Sequence, residues 1–168
     1  MNTKHDRWPY RLKRSMYPDN RPNTVARFLN RVSAAQFGAG ILAPRRAVTL
    51  EVPGRRTGRT ISCPLVVVDY EGDRYLVSML GRDANWVRNV QANDGLAVLR
   101  HRQSEPVRLH EIDPTVRAPI LRRYLDLAPG ARPHVPVDRH APLQEFARVA
   151  DQFPVFLVTR ARVTVPAA

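Results

Sequence analysis

The chain has 168 residues, of which 43% are hydrophobic and 25% are charged, a composition typical of one soluble globular domain. No apolar run approaches the roughly 20 residues that span a bilayer, and no signal peptide is recognisable, so the sequence predicts a cytoplasmic protein. Its single cysteine, Cys63, excludes an intramolecular disulfide and a cysteine-cluster metal site.

The net charge of +12 is concentrated near the start of the chain. Residues 1–31 hold eight Lys or Arg against two Asp, a net charge of +6. Such a segment favours polyanionic partners, namely nucleic acid, anionic lipid or an acidic ligand. Residues 1–22 contain three prolines and no clean periodicity, so they are predicted to form a basic, mobile arm ahead of one domain at residues 23–168.

The first predicted element is a helix. Asn23 is a suitable cap, and apolar residues at helical spacing predict a helix from Thr24 to about Leu42. Two interpretations stay open for it. It packs on the core, or it rests as a basic amphipathic helix on an anionic membrane surface, with residues 1–42 making a peripheral contact.

Segments rich in β-branched residues follow, separated by turn signals. They lie at residues 46–52, 61–70, 74–80, 96–101, 106–112 and 155–165. The apolar run at 65–68 predicts a strand that is buried on both faces. The hairpin-like pairing of these segments predicts an α+β fold, an antiparallel barrel of about six strands with helices packed outside.

Three further helices are predicted. A short one covers residues 85–92, and another covers residues 143–152. The third lies between these two in the chain. It begins at Asp113 and Pro114 and precedes a proline-rich loop at 128–142. The inner face of that third helix is predicted to consist of Val116, Ile120, Leu121 and Tyr124.

The turn between the first two strands has an unusual composition. It contains three arginines and a threonine bracketed by two glycines, in the order Gly54-Arg55-Arg56-Thr57-Gly58-Arg59. Glycine allows a tight backbone, and arginine offers a planar fork of donors that matches phosphate or carboxylate. The pattern predicts an anion-binding turn, and a solvated basic hairpin is the alternative.

Familiar catalytic arrangements are absent from the sequence. There is no nucleophile elbow, no His-Glu-x-x-His and no glycine-rich phosphate loop. His134, Asp138 and His140 lie in the proline-rich loop without the spacing of a known metal site, so no metal is predicted. Cys63 has the character of a packed small residue rather than a nucleophile.

Two stretches carry specific motifs in a fixed order. The first is the Gly-Arg-x-x-Gly pattern of the 54–58 turn, with Pro64-Leu65 beyond it. The second is a strand ending near Ser78, followed by the Asn-Trp-x-x-Asn-x-x-Ala-Asn pattern of residues 85–93. Together they resemble the deazaflavin-dependent nitroreductase and quinone reductase family over roughly residues 46–112.

The resemblance implies a split β-barrel, often paired as a homodimer, that binds the deazaflavin coenzyme F-420 rather than FMN. It also implies an oxidoreductase that passes a hydride to a quinone, nitroaromatic or other electron-poor substrate, sometimes near the membrane. The cofactor supplies the hydride in such enzymes, so no catalytic side chain is assigned.

The resemblance also implies a set of site residues. The 54–59 turn would hold the phosphodiester and acidic tail of the coenzyme, and residues after it would line the ring. Trp86 would close the pocket, and Asn89 would hold the loop or the ring. The implied cofactor-binding residues are Arg55, Arg56, Thr57, Gly58, Arg59, Cys63, Pro64, Leu65, Val66, Ser78, Met79, Trp86 and Asn89, with Tyr124 and His134 on the substrate side.

Two positions depart from the family pattern. Ile61 stands where members often carry arginine, and Met79 stands where they often carry lysine, so Arg59 and Arg82 are expected to supply the missing charge. Trp86 as a core aromatic and Asn89 as a structural cap remain open. So do two functions for the whole protein: a split-barrel FMN- or haem-binding carrier, and a basic polyanion- or membrane-binding module. Nucleic acid is not expected, because no motif for it is present.

Overall fold

A computed structural model describes residues 46–161 and shows a closed barrel of six strands. The order around the barrel is β1-β2-β3-β6-β5-β4, and every neighbouring pair is antiparallel. The predicted fold class is therefore confirmed. The strands are β1 (Ala47–Pro53), β2 (Thr60–Tyr70), β3 (Asp73–Val77), β4 (Leu96–His101), β5 (Gln103–Glu111) and β6 (Val155–Arg160).

Among residues 46–161, three α-helices connect or cover these strands. They are α1 (Asn85–Gln91), α2 (Ala118–Leu127) and α3 (Leu143–Val149), with 3-10 turns at Pro114–Val116, Pro129–Ala131 and Ala150–Gln152. In the part of the chain that the structure describes, no helix is long and apolar enough to cross a membrane. The predicted arm, the helix at 24–42 and the end of the last predicted strand lie outside the described residues.

The interior of the barrel is filled by alternate residues of its strands, because successive side chains of a strand point to opposite faces. Val48, Leu50 and Val52 of β1 are fully or almost fully buried there. Trp86 and Val90 of α1 join the same cluster, so α1 closes one end of the barrel. We call this the turn end, because the 54–59 turn and the segments after β3 and β5 also lie there. The hairpins at 71–72 and 102 lie at the opposite end.

A second apolar layer lies between the barrel and helices α2 and α3. Strand β2 contributes to both layers, since Val67 faces the interior and Val68 packs under the helices. The prediction of a strand buried on both faces is thus confirmed for Val67 and Val68, whereas Leu65 and Val66 are half-buried. Ile120, Leu121 and Tyr124 of α2 face this layer as predicted.

Val116 does not face the core, and that prediction was wrong. Its side chain is 55% exposed, because it belongs to the 3-10 turn before α2 rather than to the helix itself. Asp113 caps this turn instead, accepting a hydrogen bond from the Thr115 backbone N–H at 2.8 Å.

Two strand boundaries also differ from the prediction. Strand β3 ends at Val77 rather than at residue 80, because the Ser78 hydroxyl donates to Gly81 O at 2.8 Å and turns the chain. Strand β5 begins at Gln103 rather than at 106. In the register with β4, the nitrogen of Pro106 points away from β4. The pairing of β4 with β5 therefore loses no hydrogen bond at the proline.

Candidate cofactor site

The turn after β1 is held by its own backbone. Gly54 N–H donates to Arg59 O at 2.8 Å, and Gly58 N–H donates to Gly54 O at 2.7 Å. Gly58 has a φ of 66°, a left-handed conformation that favours glycine. A Cβ on Gly54 would lie 3.2 Å from Arg59 O, so the close approach across the turn also requires glycine. The sequence pattern therefore encodes one defined loop.

Arg55 is bound to helix α1. Its guanidinium Nη1 donates to Asn89 Oδ1 at 2.9 Å, and its backbone N–H donates to the same oxygen at 3.3 Å. Asn89 is 4% exposed, so the acceptor comes from a buried amide. Asn89 therefore fastens the turn to α1, and it is not a cap of that helix, whose cap residues are Ala84 and Ala92.

Arg56 and Arg59 differ from Arg55. Both side chains are exposed, and neither guanidinium has a hydrogen bond or ion pair with any residue between 46 and 161. The Thr57 hydroxyl accepts from the Arg59 backbone N–H at 3.3 Å, which leaves the Arg59 side chain unrestrained. Two cations on a defined turn are thus available to an anionic ligand.

The first half of β2 continues from this turn as an accessible edge. Strand β3 pairs only with residues 67–70, so residues 60–66 have β1 as their one strand neighbour among the described residues. Val67 N–H donates to Arg46 O, and this register turns the backbone groups of residues 62, 64 and 66 away from β1. Pro64 is tolerated at such a position, because its missing N–H would have had no partner there.

Residues 63–66 of this edge are half-buried, and residues 60–62 are exposed. Leu65 packs against the barrel interior, and Val66 packs against the outer layer. Cys63 lies on the interior side, and burial raises the pKa of its thiol to about 12. The thiol is therefore neutral at physiological pH, as expected for a packed residue. Ile61 is 40% exposed and lies against Gly54, where it adds apolar surface beside the turn.

Ser78 and Met79 follow β3 at the same end of the barrel. Ser78 is 1% exposed, and its N–H donates to Pro154 O at 3.0 Å. Met79 is half-buried against the outer layer. Arg82, expected to replace a missing charge, is engaged elsewhere, since its Nε donates to Asp151 O at 3.1 Å.

Trp86 lies in the barrel core. It is 7% exposed, and its ring meets that of Phe156 at a centroid distance of 5.4 Å and an interplanar angle of 57°. This tilted contact is typical of packed aromatic pairs. The structure favours the core interpretation of Trp86 over a pocket-closing one.

The two predicted substrate-side residues lie in the helical layer. Tyr124 is 4% exposed, and burial, with a smaller effect of Cys63, raises the pKa of its hydroxyl. His134 is half-buried in the loop after α2, and its N–H donates to Ala131 O at 2.9 Å. Their part in binding substrate stays a prediction.

A cavity of about 590 Å³ opens at the opposite end of the barrel, away from the turn. Its charged side chains are paired with one another: Arg46 with Asp69 at 2.9 Å, and Arg74 with Glu105 at 2.7 Å. The cations of this cavity are thus already neutralised. We therefore place the candidate anion site at the turn.

Comparison with known proteins identifies the family of the chain. A family model described as "F420H(2)-dependent quinone reductase" matches residues 24–143, more than half of the chain. The chain belongs to this family. It is thus a reductase dependent on reduced coenzyme F-420, as the motifs of residues 54–93 predicted, and the family assignment is confirmed.

Several solved structures are similar to the reductase at low identity. One described as an "F420-H2 Dependent Reductase (FDR-A)" is 22% identical, with 68% of this chain and 95% of that chain covered and a TM-score of 0.47. A structure described as a domain-swapped dimer is 20% identical, with coverages of 80% and 93% and a TM-score of 0.48. A heme binding protein from Mycobacterium smegmatis is 16% identical, with coverages of 76% and 51% and a TM-score of 0.46.

The family assignment of the reductase depends on the family match and not on these three structures. No curated protein matches the sequence.

The sequence analysis did not predict a role for Arg117, which is 1% exposed, or for its carboxylate partner Glu111. No local pattern distinguishes a buried arginine from the many exposed ones in this chain.

Proposed function

We propose that the protein transfers a hydride from reduced coenzyme F-420 to a quinone, with nitroaromatics and other electron-poor compounds as further acceptors. The observation that carries this proposal is the pair of unengaged guanidinium groups, Arg56 and Arg59, on a turn held by Asn89. They stand beside the accessible edge of β2. Two free cations beside an accessible strand edge support a site for an anionic coenzyme at the turn.

The charged residues of the turn would hold the coenzyme by its anionic groups. Arg56 and Arg59 would donate to phosphate or carboxylate oxygens, because guanidinium forks match both. Arg55 would act mainly through the turn, since its own guanidinium is committed to Asn89. Because both free arginines are exposed, we expect the affinity to fall as salt rises.

The edge of β2 would take the flat part of the coenzyme. Residues 63–66 offer half-buried apolar side chains, and Pro64 keeps a further strand from pairing there. Ile61 adds apolar surface at a position where the family often has arginine. The positive charge that binds the anionic groups of the coenzyme would therefore come from Arg56 and Arg59. These assignments account for an aromatic ring next to an anionic tail.

The protein's own side chains would orient the reactants rather than react. When bound, reduced F-420 supplies the hydride. The Cys63 thiol and the Tyr124 hydroxyl stay protonated at neutral pH, because burial raises the pKa of each. Neither is suited to serve as a base or nucleophile, so the turn and the β2 edge contribute binding, orientation and exclusion of water.

A titration of the purified protein with F-420 and, separately, with FMN tests the proposal. We expect saturable binding of F-420, followed by the coenzyme's fluorescence, and no FMN retained after dialysis. Turnover of reduced F-420 with a quinone should then exceed turnover with a nitroaromatic. Absence of F-420 binding, or retention of FMN in its place, would contradict the proposal.

A further inference from the structure

The largest fully buried side chain among residues 46–161 is that of an arginine, Arg117. A buried cation is costly unless its donors are paired. Arg117 donates to Ile112 O at 2.6 Å from Nη2 and at 3.0 Å from Nε. Its Nη1 donates to Phe153 O at 3.2 Å and to Ala150 O at 3.3 Å. It thus joins the end of β5 to the segment before β6.

The one carboxylate that Arg117 contacts in the described chain is Glu111, with Nη2 to Oε1 at 2.9 Å. Glu111 is also the meeting point of two further donors. Arg82 Nη1 lies 3.4 Å from Oε1, and Gln91 Nε2 donates to Oε2 at 3.2 Å. Both carboxylate oxygens are therefore in use, and the anion is anchored from the core side by a fully buried cation.

The two outer donors come from the two other elements that contain residues implied for the cofactor site. Arg82 belongs to the 78–84 loop, which begins with Ser78 and Met79. Gln91 is the last residue of α1, the helix whose Asn89 holds the arginine turn. Arg82 also donates to Asp151 O at 3.1 Å, so the loop is attached at two points. One carboxylate thus links the loop, the helix and the core.

We propose that Glu111, Arg82 and Gln91 form a positioning network that sets the 78–84 loop and α1 in the geometry the cofactor site requires. None of the three is assigned a contact with the coenzyme. The inference rests on the proposed function, and it adds the 78–84 loop to a site that the proposal builds from the turn and the β2 edge. Arg117 holds Glu111 from the core side and is not itself one of the three positioning residues.

The outer bonds of this network are poorly suited to a role in overall stability. The Arg82 side chain is 53% exposed, and ion pairs of this kind contribute little to folding. Their effect on a site is different, because small shifts of its walls change binding and orientation strongly. Loss of Arg82 and Gln91 should therefore be seen in binding before it is seen in unfolding.

The test uses the full chain with Arg82→Ala/Gln91→Ala, which leaves the Glu111–Arg117 pair intact. We expect the dissociation constant for F-420 to rise about tenfold, as when outer supports of a bound group are lost. The midpoint of thermal unfolding should move by about 2 °C or less. Arg82→Lys keeps a cation near Glu111 and should recover part of the affinity.

Arg100→Ala is the matched control, because Arg100 is similarly exposed and pairs with Glu51 at 3.0 Å on the barrel wall. It should leave the affinity for F-420 unchanged. Equal affinities of the double variant and this control would overturn the inference, as would a loss of affinity matched by a large loss of thermal stability. If the wild-type protein bound no F-420, the proposed function would fail first, so the two failures are distinguishable.

Discussion

At the turn end of the barrel, Arg56 and Arg59 have no side-chain partner among residues 46–161. At the opposite end, Arg46, Arg74 and Arg160 all lie within 3.6 Å of a carboxylate oxygen. The arginines that line the cavity at the opposite end are therefore engaged, whereas Arg56 and Arg59 are available. Arg102 is also exposed at the opposite end, but it lies in the β4–β5 hairpin and does not line the cavity. An arginine whose donors face a carboxylate at short range adds little attraction for a second anion, whereas an unengaged one keeps its full charge.

The difference also separates function from stability. The bidentate Arg74–Glu105 pair, at 2.8 and 2.7 Å, ties β3 to β5 across the opposite end. The turn end instead uses the buried amide of Asn89 and the partly exposed carboxylate of Glu111 to hold its loops, while Arg56 and Arg59 stay exposed. We therefore expect substitutions at the two ends to change different measurements.

The largest expected effect is that of Arg56→Ala/Arg59→Ala. Two charge-assisted hydrogen bonds would be lost, and the dissociation constant for F-420 should rise about 100-fold with little change in unfolding. Fluorescence titration measures the first and thermal unfolding the second.

Arg102→Ala/Arg123→Ala removes the same amount of charge from exposed arginines away from the turn and should alter the affinity only slightly. If this control weakened binding as much as Arg56→Ala/Arg59→Ala, general charge rather than the turn would attract the coenzyme.

A smaller effect is expected for Asn89→Ala, which removes the acceptor shared by the Arg55 backbone and side chain. The free energy of unfolding should fall by about 1–3 kcal/mol, because a buried hydrogen-bond partner is lost. F-420 affinity should fall as well, since the turn is no longer held. Chemical denaturation and titration measure the two effects.

Asn93→Ala is a suitable comparison for Asn89→Ala. Asn93 donates to Leu96 O at 2.6 Å in the turn after α1 and has no bond to the arginine turn. Asn93→Ala should lower the free energy of unfolding and leave the affinity for F-420 unchanged. An Asn89→Ala protein with unchanged F-420 affinity would show that the turn holds its shape without α1.

The smallest expected effect concerns pH at the opposite end. The hydrogen bond from Arg74 holds the pKa of Glu105 below its ordinary value, while partial burial acts against this. The stabilisation is therefore complete above the ordinary pKa and is lost as pH falls through the lowered one, from about pH 5 downward. Both side chains are about one-third exposed, so it should amount to about 1 kcal/mol or less.

Glu105→Gln should lack this component, so the difference in unfolding free energy between it and the wild type should shrink as pH falls. Arg74→Ala should give the same flattening, with F-420 affinity unchanged at neutral pH. A difference that grew toward low pH would show the opposite sign of pKa shift.

Much of the fold was predictable because its signals are local. Turn glycines at 58, 72 and 95 have positive φ values, and β-branched runs between them became strands. Boundaries failed where a distant contact decided them. Strand β3 ends at Val77 because Ser78 forms hydrogen bonds with Pro154 O and Gly81 O. The contact with Pro154, which is distant in sequence, cannot be predicted from the residues near Ser78.

The candidate site was predictable in composition but not in the role of each residue. Sequence placed all three arginines of the turn in one anion-binding group. The structure separates them, because Asn89 lies 34 residues away and takes up Arg55 alone. Trp86 shows the same limit, since its contact with Phe156 across the barrel puts it in the core.

By itself, the sequence determined the strands, the shape of the glycine-arginine turn and the family of the protein, since each depends on neighbouring residues or on a fixed order of motifs. Only the tertiary structure decided which cations are free. That depends on which acceptor the fold brings within about 3 Å of each guanidinium. For this reason Arg55 and Arg56 have different roles although they are adjacent in the chain. Arg55 is bound to Asn89, and Arg56 is available to a ligand.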